Sequence, residues 1–158
     1  MLTASQPLST ISEIGVSLPS RSLEKEDMET SEDVVTIQTL KSILKNGGEL
    51  NARACVLAAK EGHLDVLKLL RKKGCPWDEW TCQYAAEEGH LDVLKWAYEQ
   101  GCPWDKWTSA SAAYGGHFDV LKWLREKGCP WDWETCAYAA RKGHLDVLKW
   151  ARDNGCPE

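Results

Sequence analysis

Gly89-His90-Leu91-Asp92-Val93-Leu94-Lys95 and Gly101-Cys102-Pro103-Trp104-Asp105 are the two strings whose reading decides the fold. The first begins again at Gly62, Gly116 and Gly143, with Phe118 replacing Leu in the Gly116 copy. The second begins again at Gly74 and Gly128, and its Gly-Cys-Pro opening returns at Gly155. Every interval is 27 residues, so the chain carries an internal repeat. Four units follow, 47–73, 74–100, 101–127 and 128–154, and the first is the least regular, with Gly48, Glu49 and Leu50 where the others have Cys, Pro and Trp.

Each unit reads as two short helices. Asn51, Asp78, Asp105 and Asp132 share a column whose side-chain oxygens suit the N-cap of a first helix. That helix runs to Gly62, Gly89, Gly116 or Gly143, which suit a left-handed C-terminal position. In the second helix Leu91, Val93, Leu94 and Ala97 line one side, Asp92 and Lys95 pair three apart, and the pattern stops at Gly101 before Pro103. Helices this short do not persist alone in water, so each must bury its apolar face against its partner and the neighbouring units. Upstream, Ile37, Leu40, Ile43 and Leu44 fall in register with a second helix, so 34–46 reads as a half-unit capping the N-terminal end.

Charge is unevenly distributed. Residues 1–33 hold Arg21 and Lys25 against seven acids, a balance of −5, with seven Ser, three Thr and no Trp or Cys, and read as a disordered acidic tail. Residues 34–158 carry 17 basic and 17 acidic groups, which offers a phosphate backbone no net attraction, so no nucleic-acid partner is expected. No apolar run approaches the ~18 residues of a membrane span, and no secretory signal opens the chain. A cytoplasmic or nuclear, non-secreted chain is expected, with its seven Cys reduced.

Ala85-Ala86-Glu87-Glu88-Gly89-His90-Leu91-Asp92-Val93-Leu94-Lys95-Trp96 resembles the core of the ankyrin repeat, and Gly101-Cys102 stands where that family has Gly-Ala. The resemblance spans about residues 35–158 and recurs in four units. The family unit has about 33 residues; the missing six fall where its β-hairpin finger belongs. Trp80, Thr81, Cys82 and Gln83 occupy the positions of its Thr-Pro-Leu-His signature. The resemblance implies an all-α solenoid of stacked helix-turn-helix units with shortened or absent fingers. It further implies a protein-binding groove lined by the first helices.

Four copies let the columns be compared. Those of Cys82, Ala85 and Ala86 hold only small residues, including Cys55, Ala58, Ala59, Ser109, Ala112, Ala113, Cys136, Ala139 and Ala140, which allows close helix approach. The columns of Trp80, Gln83, Tyr84, Glu87 and Glu88 change type freely, to Trp107, Ser111 and Tyr114 in the third unit and to Tyr138, Arg141 and Lys142 in the fourth. Their i, i+3, i+4, i+7, i+8 spacing puts them on one helix face, the candidate partner-binding surface. The alternative is a solvated, unconstrained face, with the chain acting as a spacer without a specific ligand.

The remaining columns read as scaffold. Cys75, Cys102, Cys129 and Cys156 replace a small buried residue, and His63, His90, His117 and His144 sit at a turn where imidazole reaches backbone carbonyls. No Cys-x-x-Cys occurs, and no metal or cofactor is expected. Trp96, Trp123 and Trp150 read as inter-unit contacts, while Trp77, Trp104 and Trp131 fill the space of the absent finger. No nucleophile and base stand apart from the repeat and no phosphate-binding loop occurs, so a non-catalytic module is expected. The chain stops at Glu158 inside the opening of a fifth unit, which reads as a piece of a longer array. The alternative is end-to-end self-association through Leu145, Leu148 and Trp150.

Overall fold

The computed structural model describes residues 36–158, so the expected tail at 1–33 lies outside the described residues. Nine helices occur in them: α1 Ile37–Asn46, α2 Ala52–Lys60, α3 Leu64–Lys72, α4 Glu79–Glu87, α5 Leu91–Glu99, α6 Lys106–Gly115, α7 Phe118–Glu126, α8 Trp133–Lys142 and α9 Leu145–Asp153. Among the described residues there is no strand, and the fold is an all-α solenoid whose connections lack a hairpin finger.

Both recurring strings prove to be helix stops. Gly62, Gly89, Gly116 and Gly143 end the first helices with φ between 74 and 79°. The following His then donates its backbone N–H five residues back, as from His90 to the Ala85 carbonyl at 2.8 Å. The second helices stop in the same way: Gly101 has φ 80°, and the Cys102 N–H reaches the Ala97 carbonyl at 2.9 Å. A left-handed glycine followed by this long bond satisfies carbonyls that a helix end leaves free. At the starts, Asn51, Asp105 and Asp132 accept the N–H two residues ahead, at 3.1, 3.0 and 3.0 Å. Asp78 takes the same extended N-cap conformation without a side-chain cap bond.

The first helices pack on one another in sequence order, α2 to α4 to α6 to α8, more extensively than each packs on its own second helix. Ala58, Ala59, Ala85, Ala86, Ala112, Ala113 and Ala139 are fully buried at these contacts, so the small columns do let the helices close up. The second helices insert Val66, Leu67, Leu70, Val93, Leu94, Val120, Leu121, Leu124 and Val147 beneath them. Each such Leu or Val stabilises the stack by about 1.5–3 kcal/mol relative to exposure. In α1, Leu40 and Leu44 are buried while Gln38, Lys41 and Lys45 are exposed.

Where the finger is absent, the second helices are bridged by rings. Within units, Trp77 meets Trp96, Trp104 meets Trp123 and Trp131 meets Trp150, at 5.8, 5.9 and 5.9 Å and 66–73°. Between units, Arg71 lies 4.2 Å from the Trp77 ring, Tyr98 stacks on Trp104 at 4.5 Å, and Arg125 lies 4.1 Å from Trp131. These six Trp are half-buried against the core, as scaffold positions. Of the three residues expected to expose an apolar end, only Leu145 does, at 69%; Leu148 is buried and Trp150 is held between Phe118 and Trp131.

Candidate binding face

The tight stacking of α2, α4, α6 and α8 decides which candidate residues reach solvent. Gln83, Tyr84, Glu87 and Ser111 are 3%, 1%, 3% and 0% exposed, enclosed between neighbouring first helices. Trp80, Glu88, Trp107, Tyr114 and Tyr138 are half-buried, and Arg141 and Lys142 are exposed. The accessible part is therefore narrower than the helical spacing alone implies, and it consists of two rims at opposite ends of the first helices.

At the N-terminal ends stand Asp78, Glu79 and Trp80, then Asp105, Lys106 and Trp107, then Asp132, Trp133 and Glu134. Neighbouring units interlock here: Gln83 Nε2 donates to Asp105 Oδ1 at 3.3 Å, and Lys106 Nζ lies 2.7 Å from Asp132 and 3.6 Å from Glu134. Lys106 also sits 5.0 Å from the Trp107 ring. Trp80 stacks on Tyr84 at 6.0 Å, and Trp133 is 56% exposed. Burial, with the charge of Glu79 added, raises the Asp78 and Asp105 carboxyls above their ordinary range. Asp132 holds the Lys106 ammonium in its charged form above the usual lysine value.

At the C-terminal ends, the Tyr114 and Tyr138 rings meet edge-on at 5.8 Å, and Lys142 Nζ stands 4.5 Å from the Tyr114 ring. Gly115 occupies the column of Glu61, Glu88 and Lys142 because a Cβ there would run into the Glu87 carbonyl and the His117 ring. The Tyr114–Tyr138 contact lies next to this glycine in the chain.

The His and Cys columns serve the stack. His90 Nε2 donates to the Lys60 carbonyl at 2.9 Å and His144 Nε2 to the Tyr114 carbonyl at 3.1 Å, each reaching back into the preceding unit. Cys75, Cys102, Cys129 and Cys156 donate through Sγ to the carbonyls of Asn51, Asp78, Asp105 and Asp132, at 3.1, 3.5, 3.4 and 3.3 Å. The structure also brings Cys55 to Cys75, Cys82 to Cys102 and Cys136 to Cys156, with Ser109 facing Cys129. Sequence reasoning missed these pairs; their signal was the 20-residue spacing, hidden because each pair crosses a unit boundary. Burial raises the Cys55 and Cys75 thiols and pushes that of Cys129 up to about 12. Among the described residues, no group of three or more His, Cys, Asp or Glu is placed to hold a metal ion, and no helix is long and apolar enough to cross a membrane.

No curated protein matches the chain significantly. A family model described as ankyrin repeats in many copies matches residues 82–125 and again residues 109–152. Chains of this family generally act as protein–protein interaction modules and are typically not enzymes. The match begins inside the second unit and covers the most regular copies, where helix pair, left-handed glycine and turn histidine recur together. The matched stretch, residues 82–152, consists of ankyrin repeats, and its stacked helix pairs recur at the 27-residue spacing.

Proposed function

We propose that the chain is a non-catalytic adaptor that holds a protein partner on the exposed edges of its first helices. The observation that carries this reading is the contrast between columns. The columns of Cys82, Ala85 and Ala86 hold only small residues, whereas the columns of Trp80, Tyr84, Glu87 and Glu88, which supply the solvent-reaching Trp80, Glu88, Trp107, Tyr114, Tyr138, Arg141 and Lys142, change type along the array. Half-buried aromatic rings beside charged groups are the composition of interface anchors. Gln83, Tyr84, Glu87 and Ser111 then support the face from beneath. Seven free, buried thiols suit a reducing compartment, the cytoplasm or nucleus.

Affinity capture with the tagged chain, followed by Trp107→Ala and Tyr138→Ala, tests the reading. A partner that weakens on both variants at unchanged helicity supports it. A chain that captures nothing specific is instead the spacer of the alternative reading. End-to-end self-association has narrower support, since Leu145 is the single exposed residue of the three proposed for it.

A further inference from the structure

The N-terminal rim narrows the chemistry of the partner. Trp80 and Trp107 occupy the same position on adjacent parallel helices, and Trp133 lies one residue before that column on the next. Packed helices lie about 8–10 Å apart, and an extended polyproline-like chain advances about 9 Å in three residues. Successive rings of the rim therefore match every third residue of such a chain. The charge is equally directional. Asp78, Glu79, Asp105, Asp132 and Glu134 outnumber the cations of the rim, which are Arg53 in the Trp80 column of the first unit and Lys106, already engaged by Asp132 and Glu134. Asp78 Oδ1 is enclosed without a hydrogen-bond partner, and burial, with the Glu79 charge added, raises the Asp78 and Asp105 carboxyls.

Resting on the adaptor reading, we propose that this rim takes an extended basic segment of the partner protein, with arginine at every third residue. Each guanidinium lies on a tryptophan face and points its N–H groups at the carboxylates beside it. Arginine suits the rim better than lysine because its planar fork stacks and donates at once. The chain shows the same pairing internally. Arg125 lies 4.1 Å from the Trp131 ring while Nη1 donates to the Cys129 carbonyl at 2.7 Å, and Arg71 does likewise over Trp77 with the Cys75 carbonyl.

The probe is fluorescein-labelled Arg-Pro-Pro-Arg-Pro-Pro-Arg, titrated with the full chain by fluorescence anisotropy. Its block isomer Arg-Arg-Arg-Pro-Pro-Pro-Pro and its Glu-for-Arg analogue serve as controls. The spaced peptide is expected to bind, to weaken with added salt and to exceed the block isomer at least about threefold. Trp80→Ala with Trp107→Ala lowers its affinity about tenfold. Glu79→Gln, which leaves both rings in place, lowers affinity and flattens the salt dependence.

Three results overturn the inference: no binding of the spaced peptide, equal binding of the acidic analogue, or full affinity in the double Trp variant with unchanged circular dichroism. If a captured partner depends on Tyr114 and Tyr138 but not on Trp80 and Trp107, the inference falls and the adaptor reading stands. If no peptide binds and no partner is captured, both fall.

Discussion

A single methyl group is enough to test the close approach at Gly115. Its φ is not in the left-handed range, so the requirement for glycine comes from the Glu87 carbonyl in the neighbouring unit. Gly115→Ala is expected to destabilise the chain by about 1–3 kcal/mol, as overpacking does, measured by urea denaturation. His90→Ala leaves the Lys60 carbonyl without its imidazole donor and costs about 1–3 kcal/mol by the same measurement. Asp78 makes a contrasting case. Its carboxyl is raised in the fold, so between that raised value and the ordinary 3.8 the folded chain binds more protons than the unfolded one. Stability from this group thus grows as pH falls through that window and is lost as pH rises through the raised value. Asp78→Asn is expected to stabilise the chain at neutral pH by less than about 1 kcal/mol and to flatten this dependence. A thermal-melt series against pH that is the same for both proteins contradicts this.

At the scale of the helix pair, the period, the two helices and their glycine stops were legible because each is a local signal repeated in register. Trp77, Trp104 and Trp131 were legible as filling for the absent finger, since each follows Cys-Pro in the connection where the finger would stand. The burial of Gln83, Tyr84, Glu87 and Ser111 was not legible. Variability in a column suggests exposure, but the small residues flanking it bring adjacent helices together until both sides of a first helix are covered. The pairing of Cys82 with Cys102 was hidden for a related reason, being a contact between units and not within one.

The same junctions predict how rings and cations substitute for one another. Tyr98 stands in the column of Arg71, Arg125 and Arg152, so Tyr98→Arg is expected to retain stability within about 1 kcal/mol. Trp104→Ala removes contacts to both Tyr98 and Trp123 and costs about 2–3 kcal/mol, below the 3–5 of a wholly buried ring. Chemical denaturation of the two variants checks both.

Across the whole described region, the extensive packing runs between neighbouring units, and the thiols register its integrity. All seven are buried, so a thiol-specific reagent is expected to label none in the native protein and all seven once the stack unfolds. The nine tryptophans sort the molecule further. Six bind unit to unit, whereas Trp80, Trp107 and Trp133 line the rim assigned to the partner. Resolving the nine indole N–H signals by isotope-labelled NMR, without and with the spaced arginine peptide, tests this division most directly. The signals of Trp80, Trp107 and Trp133 are expected to shift while those of Trp77, Trp96, Trp104, Trp123, Trp131 and Trp150 stay in place. Shifts confined to the second group, with the rim signals unmoved, would contradict the account.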